Sequence, residues 1–183
     1  MINYENNILR KTRLLLRFQR EKKEVDISFD MPEYFDQVRN KFRSELIYNL
    51  SKYIRLKTRV EFVWLDIDQI KSETGFLTFQ DIRYDISNKL RFYGRVVFFK
   101  TDSFDSRIYQ FENDLPGVIS NPGLFGEGMR WYFAVNYSVL PYLKLSLKYS
   151  ELVKPDARTL SSGNNEIDGN LDNRISVQLD YSL

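Results

Sequence analysis

Apolar and polar residues alternate with a period of two along most of the chain. That is the signature of strands with one apolar and one polar face. Leu14, Leu16 and Phe18 oppose Arg13, Arg17 and Gln19. Phe42, Leu46, Tyr48 and Leu50 oppose Lys41, Arg43, Glu45 and Asn49. Ile54, Leu56, Val60, Phe62 and Trp64 share a face against Arg55, Lys57, Arg59 and Glu61. Phe76, Ile82, Tyr84 and Ile86 oppose Asp81, Arg83 and Asp85, with Leu77 and Phe79 blurring the first half. Leu90, Phe92, Val96 and Phe98 oppose Arg91 and Arg95, with Val97 and Phe99 as intruders. Three further runs follow, centred on Val135, Leu147 and Val177. No segment shows a comparable helical period, so the pattern predicts an all-β chain of about eight strands.

The predicted strands lie near 9–20, 40–51, 53–66, 75–87, 90–101, 129–140, 142–153 and 171–183, in one domain spanning 1–183. Tight turns at Ser51-Lys52, Ser87-Asn88-Lys89 and Leu140-Pro141-Tyr142 alternate with long polar loops near 21–38, 67–74, 102–127 and 155–170. Short turns on one side and long loops on the other describe an antiparallel up-and-down transmembrane β-barrel. An even strand count places both termini on the short-turn side. Val25, Ile27 and Phe29 also alternate, extending the first hairpin or adding a strand.

Alternation alone does not say which face is enclosed, because a soluble sheet buries its apolar face and a membrane barrel turns it to lipid. Strand length and aromatic placement favour lipid. Tyr48, Tyr53, Tyr142 and Tyr181 fall beside the short turns, and Trp64 and Trp131 near the long-loop ends, as two interfacial girdles do. Mean hydropathy of −0.44 does not argue against this, since an alternating sheet averages to something hydrophilic. The competing reading is a soluble antiparallel β-barrel binding an apolar ligand.

From about Arg39 to Leu183 the chain resembles the C-terminal β-barrel of Bacteroidota and Chlorobi outer-membrane proteins that carry helix-hairpin-helix domains. The resemblance rests on Phe79-Gln80-Asp81-Ile82-Arg83-Tyr84, on Thr101 to Tyr109 running into Phe111-Glu112-Asn113-Asp114, on Gly126 to Tyr132, and on Glu166 to Asn170. It implies the bacterial outer membrane, with membrane lipid and the barrel-assembly machinery as partners. Such proteins carry a signal peptide, helix-hairpin-helix motifs and further strands, none of which is visible here. The expectation is therefore either eight strands that close on themselves or the last eight of a larger barrel, with an upstream domain missing. No nucleic-acid partner is expected for this segment. The final strand keeps its alternation through Leu179 and Tyr181, with Leu183 where such barrels usually end in an aromatic.

Composition narrows the chemistry. The 183 residues include no Cys and no His, which removes disulfides, thiolate nucleophiles and His-based triads. No catalytic residue, metal or cofactor is expected. The polar face, predicted to line a lumen, carries Arg55, Lys57, Arg59, Arg83, Arg91, Arg95, Arg130, Lys144, Lys148 and Arg174. The acids Glu45, Glu61, Asp81, Asp85 and Asp180 are too few to pair them one to one. In a wide lumen this excess favours anions, whereas eight strands leave a lumen just filled by side chains. Within the 102–127 loop, Asp102, Asp105, Arg107, Glu112 and Asp114 read as a structured loop held by an Arg107–carboxylate pair rather than a calcium site. Its Pro and Gly residues predict that it folds back over the barrel mouth.

Overall fold

The computed structural model describes residues 1–9, 11–26, 34–68, 71–161, 163 and 166–182. Its sheet begins with β1 (Ile2–Leu9), β2 (Thr12–Asp26), β3 (Tyr34–Asn49), β4 (Ile54–Ile67), β5 (Lys71–Asp85) and β6 (Leu90–Thr101). An insert carrying the short strands β7 (Ile108–Tyr109) and β8 (Gly123–Leu124) precedes β9 (Glu127–Leu140) and β10 (Leu143–Val153). A second short pair, β11 (Thr159–Leu160) and β12 (Ile167–Asp168), precedes β13 (Leu171–Tyr181). Nine strands make one antiparallel meander in the order β1-β2-β3-β4-β5-β6-β9-β10-β13. Among the described residues no ladder joins β1 to β13.

Two of the tight turns are built by serine. The Ser51 hydroxyl accepts from the amides of Tyr53 and Ile54 at 3.1 Å each, and that of Ser87 from Lys89 and Leu90 at 3.2 Å each. Such short side-chain bonds hold the chain in a turn between two extended runs.

The sheet departs from the periodicity in two places. Residues 2–9 form a ninth strand of the sheet, so the strand count among the described residues is odd rather than even. Its alternation is masked in sequence because Asn3, Glu5, Asn6 and Asn7 surround its few apolar positions. Much of the predicted 21–38 and 67–74 loops is strand as well. β2 and β3 stay in register out to Asp26↔Tyr34, and β4 and β5 out to Ile67↔Lys71. The 21–26 stretch is too charged to alternate, yet its backbone continues the ladder and Lys22 reaches Asp36 at 2.6 Å. Val25 thus lies in the extended β2–β3 hairpin, opposite Phe35, while Ile27, Phe29 and Leu183 lie outside the described residues.

The apolar face looks outward. Along β4 the inner positions Arg59, Glu61, Val63, Leu65 and Ile67 are buried, whereas Trp64 between them is 42% exposed. Phe62 lies on the same outer side, its ring stacked on Trp64 and tilted against Phe76. Outer side chains of other strands, including Leu46, Phe98 and Leu145, are also exposed, and Ile175 on β13 reaches 68%.

The sheet curls around the 102–126 insert, which folds as an irregular hairpin. Ile108 pairs with Leu124, Gln110 donates its amide to the Pro122 carbonyl, and Glu112 bridges to Ser120. This hairpin touches the inner faces of strands far apart in the order. Arg39 of β3 donates to the Arg107 carbonyl, and Gln178 of β13 donates to the Pro116 carbonyl at 3.2 Å. Only a sheet bent into a barrel-like wall brings both strands to one hairpin.

Candidate functional site

The enclosed face has two zones, set by which residues occupy the inward positions. At the long-loop end they are apolar. Val63, Leu77, Phe79, Val97 and Phe99 pack with Ile108 and Leu124 of the hairpin, and Leu152 leans against them. The blurring and intruding residues of the sequence are therefore inward ones, and they mark where the hairpin seats. Gly75 allows the close approach: a Cβ there would lie 2.7 Å from the Ser106 carbonyl oxygen.

Below this packing the enclosed face is charged and mostly paired. Arg59 meets Glu45 at 2.6 Å, and Arg43 grips Glu61 through two bonds of 2.9 and 3.0 Å. Arg95 pairs with Asp81 and also donates to the Phe111 carbonyl. Arg83 and Arg91 share Asp85. Phe79 presents its ring to the guanidinium of Arg95 at 4.3 Å, to that of Arg59 at 4.9 Å and to the Lys57 ammonium at 5.4 Å. Such desolvated contacts between cation and ring are attractive. Asp180 accepts from Gln178 at 2.8 Å. Arg55, Lys144 and Arg174 are exposed and have no ion-pair partner among the described residues.

Glu112 is the hairpin's charged anchor. It is fully buried, bonds Arg130 at 2.6 and 3.0 Å, and meets Lys148 at 3.3 Å. Asp114 takes the same lysine at 2.6 Å, and the buried Tyr132 hydroxyl accepts from the Asn113 amide at 3.1 Å. Burial raises the cost of separating these charges, so a network this well satisfied fixes the hairpin in one position.

The expected Arg107–carboxylate pair is not what holds the loop. Arg107 donates to the Tyr109 hydroxyl and the Phe104 carbonyl, and its guanidinium sits 4.0 Å from the Phe104 ring centre. Two acids instead tie the base of the loop to β5. Asp102 accepts from the Thr74 amide at 2.6 Å and the Thr74 hydroxyl at 2.9 Å, and Asp105 meets Lys71 at 3.3 Å. Those two bonds hold the Asp102 carboxyl below the usual aspartate value. With its acids so dispersed, the loop gathers no group of three metal-ligating side chains among the described residues.

The hairpin goes deeper than a lid. Gln178 near its tip pairs in register with Ser146, which pairs with Asn136, which pairs with Arg91 beside the short turns. It descends through most of the interior instead of covering the mouth.

Periodicity missed several enclosed residues. Gln110 is fully buried, with neither side-chain polar atom paired among the described residues. Glu73 is buried between Lys71 and Ser103. Arg39, Lys41 and Arg17 line a cleft of about 90 Å³ between β2, β3, β4 and the hairpin, with Arg43, Glu61 and Arg107. Lys41 and Arg17 already stood on the polar face in sequence, but only the hairpin's position makes them part of a cleft.

No protein-family model matches the chain, and no curated protein matches it in sequence. Solved structures do match in shape. OmpT, an outer membrane protein of Vibrio cholerae, superposes with a TM-score of 0.56 at 10% identity over 94% of this chain. The chain spans 52% of that protein. The fold is that of an outer-membrane β-barrel. A NanC porin also matches over 99% of this chain and 91% of its own, at 9% identity and a TM-score of 0.49.

The barrel fold gives the aromatic residues a geometry. Trp64 pairs with Thr74, and Ile54, ten positions below on β4, pairs with Tyr84. Ten residues of strand rise roughly 33 Å, or about 25 Å in height at a tilt near 40°. At the lower level Tyr48, Tyr53, Tyr84, Tyr137, Tyr142 and Tyr181 are all exposed, the last two in edge-to-face contact at 5.7 Å. At the upper level the Trp131 indole donates to Glu151 at 3.2 Å. The spacing matches the apolar band of membrane barrels, about 25 Å tall between aromatic girdles.

Proposed function

We propose that the chain forms the wall of a bacterial outer-membrane β-barrel narrowed from within by its own 102–126 hairpin. Its role is then structural or conductive rather than catalytic. The observation that carries this reading is the inverted polarity of the sheet. Leu46, Phe98, Leu145 and Ile175 are exposed on the outer face, while Glu61, Asp81, Arg95 and Glu112 are buried on the inner one. Water would not select that arrangement, and hydrocarbon outside would.

The soluble-barrel alternative needs an enclosed apolar chamber. An apolar hollow of about 570 Å³ is lined mainly by Ile82, Phe92, Val96, Trp131 and Phe133, which belong to the outer face. Where the hairpin seats, the interior is packed, and what remains on the β2–β4 side is the polar cleft.

Folding into vesicles that carry brominated acyl chains tests the reading. Trp64 and Trp131 fluorescence should be quenched, and heat-modifiable migration in gels should accompany it. Conductance steps in a planar bilayer should follow for the narrowed pore. A chain that stays monomeric and folded without detergent, with unquenched tryptophans, overturns the membrane reading.

A further inference from the structure

We propose that the cleft between the 102–126 hairpin and the inner faces of β2, β3 and β4 binds a compact oxyanion, a phosphate or a carboxylate. Its walls supply Arg17, Arg39, Lys41, Arg43 and Arg107 against a single carboxylate, Glu61. That carboxylate is already taken, bonded twice by Arg43 and approached by Arg59 at 3.8 Å. Glu21 stands across the strand pair from Arg39 but is exposed and makes no ion pair among the described residues.

The most deeply buried cations of the adjoining face are paired differently. There the buried cations Arg59, Arg95 and Lys148 each have a carboxylate partner. Among the described residues, Arg17 of the cleft bonds only the Asn3 side chain, and Arg107 only a carbonyl and a phenol. Arg39 gives one nitrogen to a carbonyl and leaves its buried Nε without a partner among the described residues. Lys41 makes no hydrogen bond or ion pair among the described residues. Like charges gathered in a partly enclosed space repel, and an anion seated between them relieves the repulsion and satisfies the idle donors. The volume of about 90 Å³ equals roughly three waters at ~30 Å³ each, which suits a tetrahedral or carboxylate head and little more. Tyr109, Ile108 and Val63 give the cleft an apolar side, so the anion is held at one wall.

The test uses the full chain folded in detergent, titrated by calorimetry with inorganic phosphate and, separately, with acetate. At least one probe should bind and raise the unfolding midpoint. Lys41→Gln should weaken that binding about tenfold, the loss of one charge-assisted bond, and Arg39→Gln should do the same. Lys41 has no bond to lose, so K41Q carries the test if R39Q does not fold. Arg55→Gln and Arg174→Gln, at unpaired arginines elsewhere on the inner face, should leave binding unchanged. Absence of binding by both probes, equal binding by K41Q and the parent, or equal weakening by R55Q and R174Q overturns the site. Tryptophan quenching in lipid is read separately, so loss of the site and loss of the membrane assignment are distinct results.

Discussion

Glu112, carried by the hairpin, and Arg130, carried by the wall, meet through two hydrogen bonds of 2.6 and 3.0 Å, and the glutamate is wholly cut off from solvent. A pair in that setting contributes little relative to an apolar replacement, but removing one partner strands the other. Glu112→Gln should lower stability by about 3–5 kcal/mol in denaturant titrations of the detergent-folded protein. Glu127→Gln, which breaks the solvent-exposed pair with Lys100, should leave the midpoint unchanged.

Val60 stands on the outer face between Ser44 and Thr78, and Val135 between Phe92 and Leu147. Arginine at either position should cost about 2–4 kcal/mol and slow insertion into bilayers. Lys57→Gln, on the inner face, should cost much less. Equal refolding yields for all three variants in lipid vesicles would remove the basis for the assigned polarity.

Gly75 is the point of contact between β5 and the hairpin. Alanine there puts a methyl group against the Ser106 backbone, which has no flexible side chain to move away. Gly75→Ala should displace the base of the loop and leave the strands paired. Limited proteolysis should then cut within 102–126 faster than in the parent, with an unchanged β-sheet circular dichroism signal.

Asp102 sets a pH dependence. Its carboxyl is held below the ordinary value of 3.8 by the Thr74 amide and hydroxyl. The carboxylate therefore adds stability that is fully present above about pH 4 and is lost as pH falls through the lowered folded value. Hydrogen exchange at the Thr74 amide should accelerate, after correction for intrinsic rates, only below that window. In Asp102→Asn the acceleration should be present at neutral pH and should not change across the acid range.

The wall was legible in sequence because a membrane barrel repeats one local rule, outward apolar and inward polar, strand after strand. Arg59, Glu61, Asp81 and Arg95 followed from that rule alone. The rule fails where a second body enters the barrel. Leu77, Phe79, Val97 and Phe99 look like errors in the alternation until Ile108 and Leu124 are seated against them. Apolar residues on both faces of neighbouring strands were the signal for an inserted segment. The partner of Glu112 was not legible, because hairpin and wall meet through tertiary packing that no spacing encodes. Arg107 was misassigned for a related reason: a guanidinium can satisfy itself on a carbonyl, a phenol and a ring without any carboxylate.

Strand parity carries a consequence for how the seam is made. β1 and β13 both run away from the long-loop end, so a direct zipper between them would be a parallel one in an otherwise antiparallel cylinder. A uniformly antiparallel circumference would instead interpose an odd number of strands. Unsatisfied amides along either border are intolerable in hydrocarbon, so one of these two seams has to exist wherever the cylinder sits in lipid.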